Sequence, residues 1–372
     1  MPDAQRLRLL CVMQLPPPVH GASVVNASVA SSEKLGREFE ISVLPMRFAE
    51  SIADIGRVSS KKLTRTAATA ARLMWRLARR RPDGVYFTLS PVGGAFYRDM
   101  LLVGVVKAFG VPRVFHLHGK GIAAQLETPW KRRLYAWVLD GASVIHLSPR
   151  VAETRPLVPE DRIYFVPNGV PDRDAVTQTP RSGPPRILFL SNLVPEKGPL
   201  VLLEALGRLR ASNVAFEATF AGAPGNVAGL RAFEALVARY DLAAHVRYIG
   251  PVFGRDKEAL FRDHDVFAFP TYYAQEAFPL VVLEAMQRGL PVVATPEGAI
   301  ADMVEDGRTG YLVPQRNAEA LADRLRKLLC DPELRSRFGE RARALYLERF
   351  TFDRFEDQLC DVLSRALARQ DR

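Results

Sequence analysis

Two carboxylates, Glu276 and Glu284, stand eight positions apart in the stretch EAFPLVVLEAMQRGLPVVAT, which runs from Glu276 to Thr295. The stretch reads as a loop, a helix and a buried strand. Phe278 and Pro279 occupy the places of a helix cap and a first helical residue, since proline there loses no useful donor and brings a helical φ. Gly289 then stops the helix and Pro291 bars its continuation. Leu280, Val281, Val282, Leu283 and Met286 are apolar nearly all round, as in a helix packed on a sheet, yet Glu284 stands among them. A helical side chain leans towards the N-terminus of its helix. Glu284 therefore reaches back to the opening that Glu276 lines and into which the N–H groups of Leu280 and Val281 point. Carboxylates that accept hydroxyl hydrogens, beside a helix end that favours anions, describe a pocket for a sugar joined to a phosphate. The competing reading is a solvated surface pair of Glu284 with Arg288, worth about 0.3 kcal/mol.

Three further places carry side chains suited to the same chemistry. In Ser191–Pro199, Lys197 precedes a helix beginning near Pro199, so its ammonium and the helix end converge on an anion such as a diphosphate. In His116–Ala124, His118 stands at the carboxyl end of a strand, where ligands of such sheets bind; a purely structural histidine is the alternative. The GxGxxA from Gly119 to Ala124 imitates a dinucleotide fingerprint, but it follows a middle strand of its unit, and the next strand, Val144 to Leu147, ends without the acidic residue. Near the start, Pro16–Ser23 ends in Gly21-Ala22-Ser23 before a helix, where a backbone can approach a ligand closely or simply turn. Asp263-His264-Asp265 imitates a metal-binding DxD, yet it reads better as the end of a helix before the strand Val266 to Phe269. No metal site and no cofactor are expected.

Short apolar, β-branched or aromatic runs alternate with helical patterns along all 372 residues, the pattern of parallel sheets covered by helices. Strands are expected near Leu7–Met13, Glu40–Leu44, Val85–Leu89, Arg113–Leu117, Val144–Leu147 and Ile163–Val166. A second set falls near Ile187–Leu190, Ala218–Ala221, Val246–Ile249, Val266–Phe269, Val292–Ala294 and Tyr311–Val313. The fold class is therefore α/β with two doubly wound units, joined through the Pro-rich and Gly-containing segment from Pro167 to Pro185. The first domain is expected over residues 1–170 and the second over 186–350. Residues 351–372 should form a helix that packs back on the first. Two such units would face each other across a cleft.

The chain carries 51 Lys and Arg against 41 Asp and Glu. Residues 1–170 hold 24 against 13, and residues 171–372 hold 27 against 28, so the excess belongs to the first part. That asymmetry calls for an anionic partner. From Lys61 to Arg81 a helix sets Leu63, Ala67, Ala70, Ala71, Met74, Leu77 and Ala78 against Lys61, Arg65, Arg72, Arg76 and Arg79, with Trp75 at the edge. The basic stripe fits anionic lipid headgroups; a solvated basic face is the alternative. Trp130, Lys131, Arg132 and Arg133 extend the patch. Nucleic acid would want aromatic platforms or a groove-reading motif beside the charge, and neither is present. Three widely spaced cysteines, Cys11, Cys330 and Cys360, indicate a reducing compartment. With no apolar run long enough for a signal peptide or a membrane span, the expected location is the cytoplasm.

Taken together, these motifs resemble glycosyltransferase family 4, with its GT-B fold of two Rossmann-like domains. EAFPLVVLEAMQRGLPVVAT is similar to the family's Glu-x7-Glu motif, and LSNLVPEKG (Leu190 to Gly198) and VPNGV (Val166 to Val170) add to it. PPPVHGAS and HLHG resemble segments of bacterial polysaccharide-synthesis members. The resemblance implies that Glu284 holds ribose hydroxyls, Glu276 holds the donor sugar, Lys197 binds the diphosphate and His118 lies near the sugar. Phe278, Leu280, Val281 and Gly21 would line the donor site. Asn192 stands where the family often has arginine, and Pro279 where glycine is common, so half of the usual phosphate clamp and one backbone donor are missing. The implied reaction is metal-independent transfer, with retention, of a sugar from a nucleotide-diphosphate sugar to a lipid-linked saccharide at the inner face of the membrane. A nucleotide-sugar 2-epimerase or hydrolase, or a non-catalytic nucleotide-sugar-binding subunit, are the alternatives.

Overall fold

The computed structural model of the protein describes residues 6–46, 60–173 and 183–370, with the side chains of residues 60–63 and 370 outside that description. The chain divides into unit 1, Met1–Asn168 with Asp353–Arg372, and unit 2, Gly169–Phe352. Among the described residues each unit holds one six-stranded sheet, and every pairing in both sheets is parallel.

In unit 1 the strands are β1 (Leu7–Met13), β2 (Phe39–Pro45), β3 (Gly84–Thr88), β4 (Arg113–Leu117), β5 (Ser143–His146) and β6 (Ile163–Phe165), in the order β2-β1-β3-β4-β5-β6. The central strands are apolar on both faces, as a sheet covered by helices requires. Val85, Tyr86 and Phe87 are all shielded from solvent, and Phe87 meets Phe115 edge to face at 6.1 Å. The helices of this unit are α1 (Gly21–Ala30), α2 (Glu33–Glu38), α3 (Ser60–Arg79), α4 (Gly93–Ala108), α5 (Ile122–Leu126) and α6 (Pro129–Leu139).

Helix α3 does not bury the face that its periodicity suggests. Thr69, Leu73 and Leu77 are buried, whereas Ala67, Ala71, Met74 and Ala78 are exposed together with Trp75. Burial free energy follows apolar area, so two leucines outweigh three alanines in setting which side faces the sheet. The Thr69 hydroxyl satisfies itself locally by donating to the Arg65 carbonyl at 2.7 Å. Leu63 and Lys61 lie outside the described side chains.

Unit 2 contains β7 (Arg186–Leu190), β8 (Glu217–Ala221), β9 (Val246–Tyr248), β10 (Val266–Phe269), β11 (Val292–Ala294) and β12 (Gly310–Leu312), in the order β12-β11-β10-β7-β8-β9. Its helices are α7 (Pro199–Ala211), α8 (Val227–Arg239), α9 (Gly254–Arg262), α10 (Leu280–Gln287), α11 (Ile300–Met303), α12 (Ala318–Cys330) and α13 (Pro332–Arg349). The order reverses between β7 and β10. Both strands are central, and the carboxyl ends of strands at such a reversal are the place where doubly wound sheets bind ligands.

The last helix, α14 (Phe352–Gln370), belongs to unit 1 over nearly its whole length. Its Leu367 lies so close to Gly84 that a Cβ there would come within 2.2 Å of the leucine Cδ2. Phe355 stacks on the His116 ring at 6.4 Å, and Arg369 donates to the Asp161 carbonyl at 2.7 Å.

Candidate active site

The helix carrying Glu284 begins one residue later than its sequence suggests. Pro279, not Phe278, is the cap: its ψ of 110° is extended although its φ of −72° would suit a helix, so Leu280 is the first helical residue. The Phe278 side chain is buried and meets Phe350 edge to face at 6.1 Å, which leaves its backbone for any ligand. At the other end Gly289 takes φ +71°, its N–H bonds Met286 O, and Leu290 N–H bonds Ala285 O. That is the Schellman pair of bonds, and a left-handed φ favours glycine there.

Lys197 ends a 3-10 turn, Pro195–Lys197, in the loop after β7; Glu276 lies in the loop after β10. Because β7 and β10 are neighbours at the reversal point, these two loops meet. The Lys197 Nζ donates to Glu276 Oε2 at 2.5 Å and sits 4.4 Å from the Tyr273 ring centroid. Gly198 permits the approach. With φ +88°, a Cβ there would stand 2.2 Å from the Pro270 carbonyl oxygen.

Glu284 does not pair with Arg288. Its Oε1 accepts from Lys257 Nζ at 2.6 Å, whereas Arg288 approaches Glu258 at 3.9 Å. The other carboxylate oxygen of Glu284, Oε2, is buried and has no hydrogen-bond partner among the described residues. Buried oxygens of this kind are rare, and a charged one is costly to leave unsatisfied. Lys257, in the first turn of α9, was not singled out from the sequence. Its position after β9 repeats that of Lys197 after β7, a lysine opening a helix beyond a parallel strand, and that repetition was the available signal.

Asn192 is used structurally: its side-chain oxygen accepts from the Ala223 N–H at 3.3 Å, holding the loop after β7 to the loop after β8. The N–H groups of Leu280 and Val281 begin α10, as the sequence suggests, now with a proline before them. Asp263-His264-Asp265 serves the fold. Asp263 follows α9 as its C-cap, His264 Nδ1 lies 2.6 Å from Leu260 O, and Asp265 accepts the Arg186 N–H at 2.7 Å.

In unit 1, His118 follows β4. Both its ring nitrogens are buried. Burial, and secondarily the nearby His20, push its pKa down to about 4, opposed in part by Asn168. His118 is therefore neutral at pH 7. Its ring lies 4.1 Å from that of His116, whose Nδ1 is 2.7 Å from the Tyr86 hydroxyl. Gly21 opens α1 behind the His20 cap, where Ser23 N–H donates to His20 Nδ1 at 3.3 Å and the Ser23 hydroxyl accepts from His20 N–H at 3.0 Å. Nothing lies within 4 Å of a Cβ built on Gly21, so the space beside that backbone is open.

The GxGxxA turn in the same unit has its anion already. Glu153 Oε2 accepts from Gly121 N–H at 2.6 Å and from Ile122 N–H at 2.7 Å. The amides that a pyrophosphate would need are engaged by a carboxylate of the chain itself, and the turn acts as a clamp on the segment that carries His118.

A doubly wound pair of sheets with lysines and carboxylates gathered at the reversal point of the second is the architecture of a GT-B glycosyltransferase. Residues 172–345 match the family described as "Glycosyl transferases group 1". The chain is 31% identical over 312 residues to a D-inositol 3-phosphate glycosyltransferase from Arthrobacter sp., covering 75% of this chain and 70% of that protein. It is 33% identical over 147 residues to a putative colanic acid biosynthesis glycosyltransferase, WcaL, from Salmonella typhimurium, covering 38% of this chain and 35% of that one. Among solved structures it resembles HepE from Anabaena in complex with UDP-glucose, with a TM-score of 0.72 at 19% identity over 97% of this chain and 100% of the other. The chain belongs to the group 1 glycosyltransferases. Among the described residues no helix is long and apolar enough to cross a membrane.

Proposed function

We propose that the protein is a retaining glycosyltransferase that moves a sugar from a nucleotide-diphosphate sugar to a hydroxyl of a lipid-linked saccharide in cell-surface polysaccharide synthesis. The observation that carries the donor half is the buried, unpartnered Oε2 of Glu284. A ribose hydroxyl is the group that would satisfy it: it donates one hydrogen and brings no charge to a carboxylate already neutralised by Lys257. Glu276 would accept from the hydroxyls of the donor sugar. Lys197 would then exchange part of its contact with Glu276 for the diphosphate, supported by the Leu280 and Val281 amides.

Charge grows on the leaving diphosphate as the glycosidic bond breaks, so a cation and helix-end donors aimed at it favour the transition state over the ground state. With these groups the reaction needs neither metal nor cofactor. His118, neutral at pH 7, would offer a sugar hydroxyl a hydrogen-bonding imidazole rather than a charge. The UDP-glucose held by the Anabaena structure and the colanic acid role in the Salmonella relative's name support this choice of donor and pathway class. The net positive charge of unit 1 supports an acceptor presented at an anionic membrane surface on the cytoplasmic side.

The test begins with a thermal-shift screen over nucleoside diphosphates and their sugars, in which a ligand of the native state raises the melting temperature. The selected donor is then incubated with and without lipid-linked saccharide, and the anomeric configuration of the product is read by NMR. An acceptor-dependent product of retained configuration is expected. Conversion or cleavage of the donor without acceptor would point to the epimerase or hydrolase reading instead. A donor shift that is unchanged in Glu284→Ala would remove the site assignment.

A further inference from the structure

The basic stripe of α3 does not simply face solvent. Between the second half of α3 and the amino-terminal parts of β1 and β2 lies a cavity of about 370 Å³, whose walls include Arg8, Arg76, Arg79, Arg80, Trp75 and Ser42. Two of its guanidinium groups are neutralised locally: Arg80 pairs with Glu40 at 2.8 Å and Arg8 with Asp83 at 3.3 Å. The other two are not. Arg76 donates one N–H to the Val43 carbonyl at 2.8 Å, and Arg79 lies 5.6 Å over the Trp75 ring. Neither has a carboxylate partner among the described residues. The Trp75 indole is 62% exposed.

We infer that this cavity is a binding site for an organic phosphate, a phosphate ester whose anionic end is held by Arg76 and Arg79 and whose carbon end rests on Trp75, Leu10 and Pro82. Guanidinium is the side chain best matched to phosphate oxygens, through paired charge-assisted N–H donors. Four guanidiniums against two carboxylates leave an excess of positive charge that a bound phosphate relieves. The apolar wall argues against a bare inorganic anion. The volume lies at the small end of the range for ligand pockets, roughly 300–1,000 Å³, and suits a phosphoglycerol-sized group. That chemistry is common to a soluble phosphate ester and to the headgroup of an anionic lipid.

The site is separate from the one that handles the sugar. Arg8 is the second residue of β1, and Arg80 and Pro82 precede β3, whereas Gly21 and His118 follow the carboxyl ends of β1 and β4. In a parallel sheet those are opposite ends. All the cavity residues belong to unit 1, so the inference stands or falls independently of the donor reading for unit 2.

The experiment uses the full chain with Trp130→Phe and Trp137→Phe, which leaves Trp75 as the only indole of the three. Its fluorescence is titrated with inorganic phosphate, sn-glycerol 3-phosphate and monomeric dihexanoyl phosphatidylglycerol, at constant ionic strength. A saturable change with at least one of the two esters is expected, with inorganic phosphate weaker. Arg79→Gln, which removes the guanidinium lying over the Trp75 ring, should weaken it on the order of tenfold, and Arg76→Gln with Arg79→Gln should weaken it further. Preference for phosphatidylglycerol identifies the lipid headgroup as the source, and equal binding of both esters identifies the soluble one. A response to added salt alone, tighter binding of inorganic phosphate than of either ester, or saturable binding unmoved by Arg79→Gln would overturn the inference.

Discussion

Two lysines and two glutamates in unit 2 form two pairs, and the pairs are not equivalent. Lys197 and Glu276 contact each other through side chains that are 19% and 11% exposed, with Tyr273 against the ammonium. Lys257 and Glu284 leave one carboxylate oxygen unused. In the proposed reaction the first pair faces the atoms where charge changes, and the second faces a ribose that is the same before and after transfer. Lys197→Ala is therefore expected to lower kcat and kcat/KM together, by about 100-fold or more, as when a donor to a developing anion is lost. Glu284→Ala removes binding that is uniform along the reaction, so KM for the donor should rise by about tenfold with kcat little changed. Steady-state kinetics with the donor varied at saturating acceptor separates the two. The reverse pattern would exchange the assignments of the two glutamates' surroundings.

What brings Lys197 to Glu276 is the order of strands, and Gly198 is the residue on which that order depends locally. A side chain at Gly198 would have to move the Pro270 carbonyl, and φ +88° is itself unfavourable for any L-residue with a Cβ. Gly198→Ala should destabilise unit 2 by about 1–3 kcal/mol and weaken donor binding in the same protein, measured by urea denaturation and by the donor's thermal shift. The strands themselves were legible. Each of the twelve lies where β-branched and aromatic runs end in turn residues, within one or two positions of its expected limits. Glu276, Glu284 and Lys197 stand out in the sequence as candidates, because a carboxylate inside an apolar helix, another in the loop before it and a lysine before a helix break a local pattern, and the structure brings Lys197 and Glu276 into contact. Lys257 was not, since a lysine in the charged run GRDKE breaks nothing. The buried face of α3 was misjudged for a related reason: a face drawn through Ala67, Ala71, Met74 and Ala78 with Leu77 leaves out Leu73, which is fully buried, and gives periodicity the weight that area should have. The engagement of Glu153 by the Gly121 and Ile122 amides spans about thirty residues of sequence and no local pattern announces it.

At the scale of the chain, charge is partitioned completely. Unit 1 carries 28 Lys and Arg against 18 Asp and Glu, and unit 2 carries 23 against 23, so the whole net charge of +10 resides on unit 1. The same unit holds three histidines that burial keeps neutral. His118 and His146 are pushed down to about 4, His146 also by Arg155, and His116 falls well below 6.5. Unfolded, each returns to about 6.5. Between those values the unfolded chain binds more protons than the folded one, so stability is fully present above pH 6.5 and is lost as pH falls towards 4. From pH 7 to pH 5 the loss should be on the order of 2 kcal/mol for each of His118 and His146. The other titrating groups are common to a His118→Gln variant. The difference in stability between the wild type and that variant should therefore shrink or invert as pH falls, and urea denaturation at several pH values measures it. A pH-independent difference would mean that His118 is no less basic in the folded protein than in the unfolded chain. The charge partition makes a further demand. If unit 1 meets an anionic surface, full-length protein should bind vesicles containing phosphatidylglycerol and leave neutral ones unbound, with affinity falling as salt rises because the Debye length shortens to about 8 Å at physiological ionic strength. Arg72 lies outside the α3 cavity and donates to the Ala68 carbonyl of its own helix at 3.3 Å. Arg72→Gln should therefore weaken vesicle binding modestly, by about 1 kcal/mol, while leaving the Trp75 response to glycerol 3-phosphate intact. Loss of both together would place surface attraction and the cavity in a single site.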